Sequence, residues 1–533
     1  MKSGIRDTMT WFHTWIGLVL CWVMYFMFVT GTTGYFDEEI DQYMMPEIAH
    51  HEQVSLESRF ETLMNYGNQN ALGAEQWFLT PEAFRGGMLS RIFYRLPQEE
   101  DPESLQNFNI TMNPKTGESI EGTARETAGG QTLYRMHWRL HYINPDLAYY
   151  LIGVVTLFMF IGVVSGIVIH RKIFTDFFTF RNKSNGKGWL DAHNLMSVSS
   201  LPFQLMIAYS GLLFMVTTFL PVIGYASYGF DVGKTIDAAQ SLRISYKVEA
   251  SGRAADMLAP NDLMTSILEK VDRDDIKRIN VKHPGDENAV IIVRPMESIY
   301  GARSAEGYVF SAVTGEYIET LPHALNAAMQ INTVMLDLHE GLFAKTDLRW
   351  LYFVAGILGS GMIASGSIYY VRKRRVKLGP NAEMPRNLRN IESGNIAVTV
   401  GLMAGIAAFF IANRLLPVEM DNRADWEVHC MFIVWGLCFV HAFIRTNSQA
   451  WKEQCYFTSL LYLALPFING MTIDQHLFNA INEGNWIFAS TDLLSILFSL
   501  IFGAIAFQMG KKVTLSRPKM RTAPTRSAMV RDH

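Results

Sequence analysis

The chain has 533 residues, 49% of them apolar and 18% charged, with a formal net charge of −4. That length allows several domains; the net charge says little where the apolar residues are so clustered, and no nucleic-acid partner is expected. The apolar residues are gathered rather than spread, into eight stretches near the roughly 20 residues needed to cross a bilayer: 11–36, 147–169, 190–220, 348–371, 395–413, 427–444, 454–470 and 487–509.

In chain order, residues 1–36 hold the first predicted span. It is too long and too aromatic for a cleaved signal peptide and lacks a small-x-small site, so it reads as an uncleaved anchor. Residues 37–135 follow as an external segment, large enough for a soluble domain of about 100 residues. Within it, a strand at Phe108-Asn109-Ile110-Thr111-Met112 enters a tight turn at Asn113-Pro114-Lys115-Thr116-Gly117-Glu118, where glycine relieves a positive φ. Residues 136–170 carry the second span behind a histidine-rich entry, 171–188 a cytoplasmic loop and 189–220 the third span. A second external segment, 221–335, repeats the hairpin at Gly307-Tyr308-Val309-Phe310-Ser311 and Ala312-Val313-Thr314-Gly315-Glu316. The fourth span lies in 336–371, a basic cytoplasmic loop in 372–394, four further spans in 395–510 and a basic cytoplasmic tail in 511–533. The expected fold is a mainly α membrane protein with about eight transmembrane helices and two small α+β external domains.

Lys and Arg crowd Arg171 to Lys187, Arg372 to Arg389 and Lys511 to Arg531. With Lys2 and Arg6 in the cytoplasm, all three segments fall on the cytoplasmic side, as the positive-inside rule expects, and both termini are cytoplasmic. No cytoplasmic loop is long enough for a nucleotide-binding domain, and neither GxGxxG nor GxxxxGK is present. The chain is therefore expected neither to oxidise a nicotinamide by itself nor to hydrolyse ATP. Cys21, Cys430, Cys438 and Cys455 sit in apolar runs without a CxxC pair and read as small buried hydrophobes.

The chain repeats itself. Gly31 follows His13 by 18 residues, and Gly211 follows His193 by 18. His141 follows Glu118 by 23 residues, and His339 follows Glu316 by 23. Ser165-Gly166 and Ser365-Gly366 close the two copies alike. Matched spacings of this extent indicate an internal duplication of span, external domain and span. Copies in the same orientation are related by a pseudo-twofold axis normal to the membrane. Such an axis brings His13 to His193 near the cytoplasm and His141 to His339 near the outside. Haem b suits this arrangement, because its iron takes an imidazole on each face and its flat apolar ring fits between helices. Two haems are expected. His170, at the end of the second span, and His137, one helical turn before His141, are alternative ligands for the inner and outer pairs. His429 and His441 share the sixth span and have no repeat partner, which favours structural roles. His50, His51, His283, His323, His476 and His533 fall in polar segments and read as solvated.

The residues resemble those of the PepSY-associated transmembrane helix family, which includes iron-regulated inner-membrane proteins. Phe12-His13-Thr14-Trp15-Ile16-Gly17-Leu18 is similar to the family's opening H-x-W-x-G-L motif. Leu338-His339-Glu340-Gly341 is similar to its L-H-x-G motif, and the two Thr-Gly-Glu turns are similar to PepSY-domain hairpins. The likeness covers about residues 5–375; the second copy lacks the tryptophan, and 395–509 extend beyond the family's four-span core. The resemblance implies PepSY-like periplasmic domains and a haem-containing reductase that helps release iron from ferric siderophores. The expected function is transfer of electrons across the inner membrane, from a cytoplasmic or quinol donor, to a ferric siderophore or other ferric chelate. Rival readings are a haem-free scaffold or regulator that binds a periplasmic protein, and a small-solute transporter. The scarcity of mid-span carboxylates in the first four spans weighs against the transporter.

Overall fold

A computed structural model describes residues 3–48, 54–82, 89–97, 105–120, 124–170, 187–215, 246–295, 307–321, 327–379 and 382–515. The first copy of the duplication opens with α1 (Ser3–Thr33), an uninterrupted apolar helix, and turns through Gly34–Phe36 into α2 (Asp37–Met44). Next come α3 (Leu56–Asn70), β1 (Gln76–Thr80), β2 (Ser90–Pro97), β3 (Leu105–Met112), α4 (Gly129–Arg139) and α5 (Pro145–Ile169). Asn144 starts α5, its side chain accepting from the backbone N–H groups of Asp146 at 3.0 Å and Leu147 at 3.2 Å, with Pro145 pre-set for the first turn.

The second copy holds α6 (Lys187–Ser199), α7 (Leu201–Phe214), α8 (Pro260–Leu268), β4 (Ile279–Lys282), β5 (Val290–Val293), β6 (Gly307–Ser311), β7 (Tyr317–Leu321), α9 (Ala327–Glu340) and α10 (Thr346–Leu378). Helices α1, α5, α6–α7 and α10 pack together as a bundle. The third expected span is bent by 70° between α6 and α7. Pro202 lies in the first turn of α7 and cannot donate to the preceding turn. Its expected end, residues 216–220, lies outside the described residues.

The C-terminal region contains α11 (Arg386–Ile396), a π turn at Ala397–Gly401, α12 (Leu402–Leu415), α13 (Arg423–Ile444), α14 (Asn447–Thr472), α15 (Leu477–Asn482) and α16 (Trp486–Leu515). Six helical segments among the described residues are long and apolar enough to cross a membrane, or seven with the bent pair. The expected span at 454–470 lies on α14, whose first turns carry Asn447, Lys452, Glu453 and Gln454. Two segments expected as basic loops are partly helical: α10 runs on to Leu378, and α16 continues through Lys511 to Leu515. Residues 171–186 and the tail beyond Leu515 lie outside the described residues.

The external segments do not form two separate modules. Their strands join in one antiparallel sheet of order β3-β2-β1-β4-β5-β6-β7. The halves meet at β1 and β4, with Trp77 opposite Val281 and Leu79 opposite Ile279. Helices α3 and α8 cover one face, and a single core contains Phe60, Leu63 and Trp77 from one copy with Met264, Ile267 and Phe310 from the other. A strand of four or five residues exposes its unpaired edge; pairing the two central edges removes both. The duplicated turns are equivalent in detail. Gly117 N–H donates to Asn113 O and Gly315 N–H to Ser311 O, each at 2.9 Å, with φ of 71° and 77°.

Candidate functional site: two histidine-lined cavities

The bundle contains two apolar cavities. One, of about 650 Å³, lies at the end of the bundle remote from the sheet and is lined by His13, His170 and His193. His13 is in the early turns of α1 and His193 in α6. Their ring centroids are 6.2 Å apart with planes inclined at 71°. A metal held between two imidazoles by bonds of roughly 2.0–2.1 Å requires a separation of about this size.

Each ring is anchored in the same way. His13 Nδ1 lies 2.9 Å from the carbonyl of Gly162 and 3.2 Å from Ser165 Oγ. His193 Nδ1 lies 2.7 Å from the carbonyl of Met362. A carbonyl only accepts, so Nδ1 bears the proton and Nε2 keeps the lone pair suited to a metal. The Ser-Gly pairs explain themselves here. A methyl on Gly166 would stand 3.3 Å from His13 Cε1, and one on Gly366 would stand 3.0 Å from His193 Nδ1. Glycine lets each ring lie against the backbone of α5 or α10.

The other cavity, of about 330 Å³, is on the sheet side and is lined by His137, His339, Tyr35, Tyr134, Trp138 and Phe214 among others. His137 is in the last turn of α4 and His339 in the last turn of α9. His137 Nδ1 meets the carbonyl of Tyr134. His339 Nδ1 is 2.8 Å from Ser210 Oγ, which itself donates to Met206 O at 2.6 Å. The same tautomer follows for both. A methyl on Gly31 would stand 3.5 Å from His137 Cγ, and one on Gly211 would stand 3.4 Å from His339 Cε1. Along α1 the 18 residues from His13 to Gly31 rise roughly 27 Å. Phe28 and Met159 line both cavities and stand between them.

The structure thus brings together His13 with His193, and His137 rather than His141 with His339. His141 is carried away by a kink, with φ of 49° at Leu140 and 65° at Tyr142. Its ring stacks on Phe432 at 5.7 Å, and its neighbour Tyr142 bonds His429 through the hydroxyl. The expected spacing was measured from the turn behind the histidine. Measured forward, His137 precedes Pro145 by eight residues and His339 precedes Thr346 by seven, where α5 and α10 begin. That count selects His137. His170 lines the inner cavity but ends α5 without a repeat partner. His441 pairs with Glu453 at 2.9 Å. Trp77 is fully buried, its Nε1 donating to Ala71 O at 2.8 Å, and serves the sheet core.

Among the described residues no three metal-ligating side chains cluster. Two imidazoles alone do not complete the shell of a bare ion, which takes four or more donors. They do complete that of an iron already held in a macrocycle. The glycine cradles, the apolar walls and the pre-set Nε2 lone pairs all fit such a group.

Fold and site define a multi-pass helical membrane protein built on a duplicated pair of spans with a joint extramembrane sheet. The family model of the PepSY-associated TM region matches residues 10–373, and the chain belongs to that family. No curated protein matches it.

Proposed function

We propose that the protein is a haem-b reductase of the bacterial inner membrane. It takes electrons from a separate cytoplasmic or quinol donor and passes them to a ferric siderophore or other ferric chelate in the periplasm. His13 and His193 would hold the inner haem, and His137 and His339 the outer; His170 and His141 are the alternates. With α14 counted, eight spans leave both termini in the cytoplasm and the sheet in the periplasm, in accord with the basic segments.

The observation that carries this reading is the repetition of one design at two depths: a histidine from each copy, its Nδ1 occupied, facing an apolar cavity with a glycine of a neighbouring helix beside the ring. Bound there, haem would supply one-electron redox chemistry at both depths, so that no single transfer would have to cross the roughly 30 Å hydrocarbon layer. The chain fixes the imidazoles, keeps water out with Phe28, Met159 and Phe214, and offers Tyr35, Tyr134 and Trp138 around the outer site. Proteoliposomes loaded with a reductant and challenged with an external ferric chelate test the proposal. Formation of external ferrous iron that depends on His13 supports it; haem-loaded vesicles that form none contradict it.

Among the described strands β7 ends the sheet, and this edge favours a second reading. Tyr317, Ile318, Glu319 and Thr320 of β7 are exposed, and such an edge can accept a strand from a periplasmic protein. A regulator acting this way needs no haem.

A further inference from the structure

We propose that the C-terminal helices clamp α4 and thereby set the position of His137, with Glu427 as the positioning residue. The inference rests on the reading of His137 and His339 as the outer pair. It gives a role to a region that contributes no residue to the lining of either cavity beyond α10.

Helix α4 has two faces. Tyr134, His137 and Trp138 line the outer cavity. Leu133 and Met136 point the other way, into a core built with Leu402, Phe409, Val428, Met431 and Phe488 of the C-terminal helices. Both are buried, at 0% and 2% exposure. The start of α4 is held from the same side. Glu427 Oε2 accepts from the backbone N–H of Ala128 at 2.9 Å and from Thr127 Oγ1 at 2.7 Å. Its other oxygen accepts from Asn413 Nδ2 at 2.7 Å and Arg423 Nη1 at 2.5 Å. Asp41 of α2 adds a second carboxylate, accepting from Gly130 N–H at 2.7 Å. Anionic groups at a helix start are favourable both as caps and against the helix dipole.

Burying Glu427 with Arg423, both without exposure, gains little stability over an apolar pair of similar volume. It does fix one geometry, because every oxygen has a designated donor. Eleven residues of α4 extend roughly 16 Å, so a shift at Ala128 is carried to the imidazole near the other end. The second copy lacks this support among the described residues. Met335 and Leu338 stand four and one residues before His339, as Leu133 and Met136 stand before His137, yet they are only half-buried, and Ile331 is exposed.

The test compares full-length wild type, Glu427→Ala and Glu427→Gln by bound haem, reduced-minus-oxidised spectrum and hydrogen–deuterium exchange. The Ala variant is expected to lose or spectrally shift the outer haem while the inner haem keeps its bands. Exchange over Ala128–Leu140 should rise about tenfold, as for a lost buried cap. The Gln variant keeps one acceptor oxygen, enough for Ala128 and Thr127 but not for Asn413 and Arg423 as well, and should retain more outer haem than the Ala variant. Unchanged haem and unchanged α4 exchange in Glu427→Ala overturn the clamp. So does parallel loss of both haems in both variants, which marks general unfolding. A haem-free wild type instead sinks the reductase reading, and α4 exchange then decides the clamp alone.

Discussion

The imidazoles differ in what surrounds them, and single substitutions should separate them. His13→Ala or His193→Ala is expected to remove the inner haem and leave the outer; His137→Ala or His339→Ala should do the reverse. His141→Ala should keep both, since its ring packs on Phe432. Haem content and the reduced spectrum of each purified variant check this. Loss of a haem in His141→Ala with full retention in His137→Ala would reverse the outer assignment. The cradles give a second prediction: Gly366→Val places a branched side chain where even a methyl meets His193 at 3.0 Å, and should empty the inner site alone. The meeting of His13 with His193 was legible in the sequence because duplication repeats spacing. The choice of His137 over His141 was not, because the first copy is four residues shorter between its turn and its histidine: 19 residues separate Glu118 from His137 and 23 separate Glu316 from His339, so an equal count lands one helical turn late, on His141.

At the scale of elements, the sheet is the clearest departure from expectation. Hairpins and turns were readable from alternation and from Gly117 and Gly315, whose φ values are positive. The fusion of the halves was not, because edge-to-edge pairing of β1 with β4 depends on where the bundle delivers them. Trp77 sits at that seam without exposure, so Trp77→Ala should cost about 3–5 kcal/mol and destabilise both halves together. Separate unfolding of the halves by denaturant would contradict a joint core. Asp286 provides a pH handle outside the membrane. Backbone N–H groups of Ser251 and Asn288, then Gly252, hold its carboxylate at 2.8–2.9 Å and lower its pKa from 3.8 to about 2. A depressed pKa stabilises the fold fully above the unfolded value, and the contribution fades as pH falls from about 4 towards 2. Asp286→Asn should remove that part of the acid dependence, as followed by exchange of the Ser251, Gly252 and Asn288 amides.

For the whole molecule, the duplicated bundle, the joint sheet and the C-terminal helices act as one assembly in which the described residues lining the cavities come from the two copies of the duplication. Hydropathy made the spans legible but not the 70° bend at Ser200, because a proline in an apolar run signals a break without its angle. The expected span at 454–470 is the later part of the longer α14, whose first turns are too polar to be read from hydropathy. The central claim is that one chain holds two b-type haems on paired histidines. Haem-to-protein stoichiometry of the purified, fully loaded protein, with a redox-titrated absorption spectrum, tests it most directly. The account predicts two haems per chain with b-type reduced bands, falling to one in His13→Ala and in His339→Ala. A fully folded chain that binds none, or whose haem content is indifferent to all four histidines, would contradict it.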